Sequence, residues 1–242
     1  KFVAGLENGG RTVASIAVVM ACMGVVVQMM TATGLSSKIS QFALSIAGDN
    51  LIILALVVAL TCTLFGMGMP SASAYILAAL LGAPALVSFG VPLVVAHFFV
   101  FYFAEMSALT PPVAIGCLVA SGLANAKFLK TCVIALRLAI MGFVLPFLFL
   151  YRPALLLQGT AFEWFWAVLM VVCFLFCFII VCEKYFRIQT TLAERIAAGV
   201  GALCCIIPVY VMDFIGLALF LFLIVSQQRR VKREGLASRS QA

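Results

Sequence analysis

Between residues 51 and 121 an almost wholly apolar stretch is interrupted twice by clusters of residues that stop helices. The first cluster reads GMGMPSAS, residues 66–73, and the second reads SALTPPVAIG, residues 107–116. Each puts Gly, Pro and hydroxyl residues where a membrane helix would carry Leu and Val. Irregular backbone in a bilayer costs several kcal/mol for each polar group left without a partner, unless it lines a cavity or faces protein. Two such interruptions therefore predict a binding site, and the expectation is half of the substrate and ion site of a secondary transporter.

The setting for that site is a membrane. Of 242 residues, 66% are hydrophobic and only 10% are charged, with a mean hydropathy of +1.26. Soluble domains run at about half apolar and about a quarter charged. The chain is read as an all-α integral membrane protein. Its formal charge of +7 is not a nucleic-acid signal, because the basic residues lie at segment ends and in the tail, where they report topology. Nine cysteines form no C-x-x-C pair. Cys62, Cys117, Cys132, Cys173, Cys177, Cys204 and Cys205 all lie in apolar runs, where cysteine behaves as a small hydrophobe. The single His97 cannot complete an ordinary zinc site.

The chain opens at Lys1 without methionine or signal peptide, and is expected to be the later part of a longer polypeptide. Residues 1–11 are polar enough for a short helix at the interface, and a first crossing is expected over about 12–30. The segment 31–42 should turn the chain, with a short surface helix ending near Gly48. Residues 51–66 and 71–88 read as two apolar helices. They are two full crossings or one re-entrant hairpin, and the absence of charge at the tip favours the hairpin. A broken helix follows over 93–120, then crossings over about 131–150 and 164–181.

The last apolar region, 196–225, goes in and comes back if the basic tail is cytoplasmic. Pro208 and Asp213 would supply the turn, with Asp213 as turn chemistry, and the competitor is one tilted helix. The tail itself reads as disordered. Counting charge puts Lys1, Arg11, Lys127, Lys130, Lys184, Arg187 and Arg195 on one side and Lys38 and Arg152 on the other. The positive-inside rule makes the first side cytoplasmic.

Proline removes its own N–H and clashes with the carbonyl four residues earlier. Pro111 would release the carbonyl of Ser107, Pro112 that of Ala108, and Pro70 that of Gly66. Such carbonyls carry partial negative charge, while the next half-helix begins with exposed N–H groups. Gly66, Ser107, Ala108, Thr110 and Pro111 are thus the candidate cation site. Gly68, Pro70, Ser71, Ser73 and Pro112 are the candidate substrate site, with glycine allowing close approach of backbone to ligand. Glu105 is a candidate proton carrier, since intramembrane acids are functional suspects by default. It could equally hydrogen-bond the broken backbone nearby, or pair with Arg137. No catalytic residues are assigned: H-E-x-x-H, G-x-S-x-G and P-loop patterns are all missing. A membrane-embedded enzyme or an assembly subunit is the remaining, weaker reading.

The runs GMGMPSASAYILAALLGAPALVSFGVP, AHFFVFYFAEMSALTPPVAIGCLVASG and ALRLAIMGFVLPFLFLYRPALLL resemble the large membrane subunit of tripartite ATP-independent periplasmic (TRAP) transporters. The likeness is strongest to fused permeases that work with the TAXI type of binding protein. That resemblance implies inverted repeats, each with a hairpin and a broken helix, and an elevator-type movement. It implies import of an organic acid, commonly a carboxylate such as a C4-dicarboxylate, by sodium symport across the inner membrane. On this analogy sodium is the coupling ion, held at the break that contains Ser107 and Thr110, and residues 66–73 are the hairpin tip. No other cofactor is implied. The partners would be a periplasmic TAXI-type binding protein, the carboxylate, the lipid bilayer and the remaining half of the permease, and no nucleic acid. Residues 1–157 correspond to the second repeat, and 158–242 to a hydrophobic extension with a basic tail.

Overall fold

The computed structural model describes residues 2–183, 190–207 and 209–239. All regular structure among them is helical: α1 (Phe2–Ala32), α2 (Leu35–Ala47), α3 (Leu51–Gly66), α4 (Ser71–Ser88), α5 (Leu93–Met106), α6 (Ile115–Leu123), α7 (Phe128–Leu138), α8 (Ile140–Tyr151), α9 (Ala161–Glu183), α10 (Leu192–Ile206) and α11 (Tyr210–Arg239), with single 3-10 turns at Ser107–Leu109 and Pro153–Leu156. Two compact units result, Lys1–Leu150 and Tyr151–Ala242. Four helices among the described residues are long and apolar enough to cross a membrane: Ser71–Ser88, Phe128–Tyr151, Ala161–Cys182 and Tyr210–Arg229. A fifth candidate is the pair Met20–Ala32 and Leu35–Ala47, bent by 64° as a broken span or a re-entrant loop. The chain is a multi-pass, all-α membrane protein.

In the first unit α3, α4 and α5 pack side by side around small residues. Leu54, Ala55, Cys62, Ala78, Ala85 and Phe99 are wholly or almost wholly buried. Closeness depends on Gly82 of α4: a Cβ there would stand 2.7 Å from Val58 Cγ1 and 2.9 Å from Cys62 Sγ. Helix α3 starts where it does because Asn50 caps it, accepting from the Ile52 N–H at 2.9 Å and the Ile53 N–H at 3.3 Å. Aromatic edges join α5 to α8, with Phe99 against Phe147 and Tyr102 against Phe149. Helix α2 is tied to α4 by the buried Ser40 hydroxyl, which donates to the Leu81 carbonyl at 3.3 Å.

The second unit is built on α9, α10 and α11. Contacts of Glu194 with Ser226 and Gln227, and of Gly201 with Leu219, make α10 and α11 an antiparallel pair. A capping box between Thr191 and Glu194 opens α10. Arg195 donates to the Val181 carbonyl at 3.2 Å, near the end of α9, where unpaired carbonyls favour a cation.

Several sequence expectations need correction. Residues 2–32 form one helix, not an interfacial segment followed by a separate span. No proline interrupts it, and Glu7 and Arg11 pair at 2.8 Å one turn apart on its exposed face. The 64° bend after it needs only Thr33 and left-handed Gly34 (φ 66°), so α2 begins at Leu35. The expected crossing over 131–150 begins at Phe128 and is offset at Ala139, between α7 and α8. The chain does double back within 196–225, but α10 and α11 are both longer than the arms expected there. Helix α11 continues into the basic tail as far as Arg239. Asp213 lies in the first helical turn of α11 and not in the expected turn, and Arg152, in the loop after α8, is buried and paired with it. Lys1, Lys184 and Arg187 of the charge count, and Pro208 of the expected turn, lie outside the described residues.

Candidate functional site

Helix α3 ends at Gly66 because the next residues cannot continue it. Met67 is extended, Gly68 takes φ 82°, and Pro70 stands extended as the residue before α4. Helix α5 ends at Met106 for a similar reason. One 3-10 turn follows, then extended Thr110, a cis Pro111–Pro112 bond, and buried Ala114 in the left-handed region before α6 begins.

These interruptions, 41 residues apart in sequence, meet in space. A Cβ on Gly66 would lie 2.8 Å from Ser107 Oγ and 3.2 Å from the Ala104 carbonyl oxygen. One on Gly68 would lie 3.6 Å from Val113 Cγ1. Glycine at 66 is what lets the end of α3 rest directly on the end of α5. On the far side of the tip, Met69 packs against the cluster of Met30, Leu77 and Leu81, together with Met23 and Ile39. Behind the second interruption, Ala114, Cys117 and Cys132 form a small core with Leu109 and Phe128. Both irregular segments are therefore packed on protein, as irregular backbone in a membrane requires.

The carbonyls that proline should release are largely re-engaged. Ser107 offers its carbonyl to the Thr110 N–H at 3.2 Å, and Gly66 offers its carbonyl to the Met69 N–H at 3.4 Å. A carbonyl oxygen has two lone pairs, so one remains on each. The hydroxyls are oriented by the same backbone. Ser107 donates to the Ala104 carbonyl, and Thr110 donates to the Met106 carbonyl at 2.9 Å. With their hydrogens committed inward, both oxygens keep lone pairs for an electropositive partner. Ala108 lies beside them, its carbonyl oxygen 3.3 Å from where a Cβ of Gly116 would stand.

Of the remaining sequence candidates, Ser71 donates to Glu105 Oε2 at 2.9 Å. The other oxygen, Glu105 Oε1, is buried with no hydrogen-bond partner. Pro70 and Pro112 are exposed at the tips, while Pro111 is half-buried. Ser73 is wholly buried and turned toward α1, with its hydroxyl on Met20 Sδ at 3.5 Å. His97 is hydrogen-bonded to Tyr75 at 2.9 Å, on the same pair of helices as Ser71 and Glu105. Sequence reasoning missed Met20 and Met69; a run of methionines from 20 to 30 was the available signal, since soft side chains suit irregular contacts. The described residues contain no cluster of three or more His, Cys, Asp or Glu that could hold a metal.

Two helix interruptions packed on one another thus form the candidate site of the first unit. A family model for the tripartite ATP-independent periplasmic transporter, DctM component, matches residues 1–165. This chain belongs to the DctM family. No curated protein and no solved structure matches it. The DctM match takes in the whole first unit, including both interruptions, and ends within α9. DctM is the large membrane component of TRAP transporters, a permease and not an enzyme, and it works with a periplasmic substrate-binding protein and a small subunit. Helices α10 and α11 lie beyond the match.

Proposed function

We propose that this TRAP component imports an organic acid of the carboxylate class across the inner membrane by sodium symport, receiving it from a TAXI-type periplasmic binding protein. The observation that carries the reading is the seating of Gly66 on Ser107, which brings both irregular segments to one place. Sodium is a hard cation and suits neutral oxygens. Ser107 and Thr110 supply hydroxyl oxygens, and the carbonyls of Gly66, Ser107 and Ala108 supply the rest. Pro111 cannot donate the helical hydrogen bond that the Ser107 carbonyl would otherwise accept.

The substrate would meet Gly68, Pro70, Ser71 and Pro112, at the exposed tips, where the first N–H groups of α4 favour an anion. Ser73 supports this surface from behind. Movement of the hairpin and broken helix together, as an elevator, would carry substrate and ion across, and the packing of α3 on α5 supports their moving as one piece.

The test is uptake in vesicles containing the assembled transporter and its binding protein, with a sodium gradient and without ATP. Ser107→Ala with Thr110→Val should raise the sodium concentration needed for half-maximal uptake by about tenfold, the scale of one or two lost ligands. Unchanged sodium dependence in that variant would remove those residues from the ion site. Uptake indifferent to sodium in the parent protein would remove the coupling itself.

A further inference from the structure

The second unit holds a cavity of about 290 Å³ that the transport reading does not use. It lies where α9 and α11 begin, and its lining includes Tyr151, Trp166 and Tyr210, the buried Arg152 and Asp213, and the exposed Glu163. A volume near 300 Å³ is at the small end of ligand pockets.

Its chemistry excludes an anion. Arg152 directs Nε to the Cys205 carbonyl, Nη2 to the Ile207 carbonyl and to Asp213 Oδ1, and Nη1 to Asp213 Oδ2 at 3.2 Å. Its charge is matched by Asp213, and its donors are turned to protein. The two helix N-termini at the cavity, which would otherwise attract an anion, already carry acids in their first turns, Glu163 on α9 and Asp213 on α11. With Arg152 and Asp213 cancelling, Glu163 leaves the cavity with one negative charge.

Glu163 is also held in place. Its Oε2 accepts the Thr160 N–H at 2.9 Å while its own N–H donates to Thr160 Oγ1 at 3.3 Å, a capping box. Its second oxygen, Oε1, takes no hydrogen bond among the described residues. Trp166 is fixed by donating Nε1–H to Asp213 Oδ2 at 2.7 Å and by packing on Phe214 at a centroid distance of 5.3 Å. A fixed carboxylate on a cavity lined by aromatic side chains is chemistry suited to an ammonium group.

We propose that this cavity binds an organic ammonium group, primary or quaternary, with Glu163 as its counter-ion and Trp166, Tyr151 and Tyr210 as its aromatic walls. Because the cavity opens where two candidate spans begin, the group can belong to a lipid head or to a free amine. The site is built from residues of the second unit alone.

The experiment is calorimetric titration of the purified transporter in detergent with choline, ethanolamine and the uncharged choline analogue 3,3-dimethylbutan-1-ol. Saturable binding of choline or ethanolamine, with at least tenfold weaker binding of the neutral analogue, is expected. Glu163→Gln keeps the capping box, since glutamine serves equally in it, yet should weaken ammonium binding by about tenfold. Tyr210→Ala, at an exposed position, should weaken it further without removing a core contact. Mass spectrometry of the transporter released from membranes separates the two sources: retained phosphatidylethanolamine, lost in Glu163→Gln, identifies a lipid head, and its absence beside choline or ethanolamine binding identifies a free amine. Failure of both ammonium compounds to bind, equal binding of the neutral analogue, or full binding by Glu163→Gln would each overturn the proposal.

Discussion

Ser71 donates a hydrogen bond to Glu105 Oε2 at 2.9 Å, so the first residue of α4 is tied to the penultimate residue of α5. The bond joins the helix that follows the first interruption to the helix that precedes the second. If sodium drives transport and Glu105 only holds Ser71, Glu105→Gln should keep sodium-driven uptake within about twofold, because the amide oxygen still accepts the bond. Its pH dependence should match that of the parent. Glu105→Ala removes the acceptor and should lower uptake more than Glu105→Gln does. Vesicle uptake across a range of external pH distinguishes the cases: loss of pH dependence in Glu105→Gln would transfer the coupling to a proton carried by Glu105.

Contact between Gly66 and Ser107 makes a second prediction. A methyl group on Gly66 would enter to 2.8 Å from Ser107 Oγ and 3.2 Å from a backbone oxygen that cannot rotate away. Gly66→Ala should destabilise the first unit by about 1–3 kcal/mol, the usual cost of overpacking. Adding Ser107→Gly removes the nearer obstacle and should recover part of the loss, a coupling of about 1 kcal/mol. Thermal unfolding of the four proteins of the cycle in detergent measures it, and strict additivity would show that the two residues do not share the space.

In the second unit, Arg152 and Asp213 form a buried ion pair 61 residues apart in sequence, with exposures of 6% and 2%. Removing one member of such a pair leaves the other charge buried and unmatched, at a cost of about 3–5 kcal/mol. Arg152→Met and Asp213→Leu should each lower stability by that order, while the double replacement should lose less than either alone. Sodium-driven uptake and unfolding should be measured side by side, since the prediction concerns stability of the second unit.

The interruptions were legible because proline and glycine act on their own neighbours: GMGMP and LTPPV stop helices wherever they are placed. What they touch was not legible. Nothing in the sequence says that Gly66 meets Ser107, or that Glu105 accepts from Ser71, since such pairings depend on how whole helices pack. The same limit hid Arg152 and Asp213, which read as loop and turn residues when each was considered with its neighbours alone. Continuity of α1 was missed for the opposite reason: polar residues at 7–11 suggested a change of environment, yet a helix needs no apolar face to continue once its backbone bonds are unbroken.

Ala114 offers the last test, because two opposing effects of similar size act on one methyl group. Its backbone is left-handed, with φ 39° and ψ 57°, and its side chain is fully buried beside Cys117 and Cys132. The left-handed region costs a non-glycine residue about 1–2 kcal/mol. Glycine would escape that cost but lose about 0.8 kcal/mol of methyl burial and add about 0.5–1 kcal/mol of unfolded-chain entropy. Ala114→Gly should therefore fall within about 1 kcal/mol of the parent. Ala114→Val has no such compensation: a β-branched residue fits the left-handed region poorly, and the extra carbons enter a filled core, for a loss of about 2 kcal/mol or more. Unfolding in detergent ranks the three proteins, and a valine variant as stable as the parent would mean that the turn before α6 does not hold this conformation.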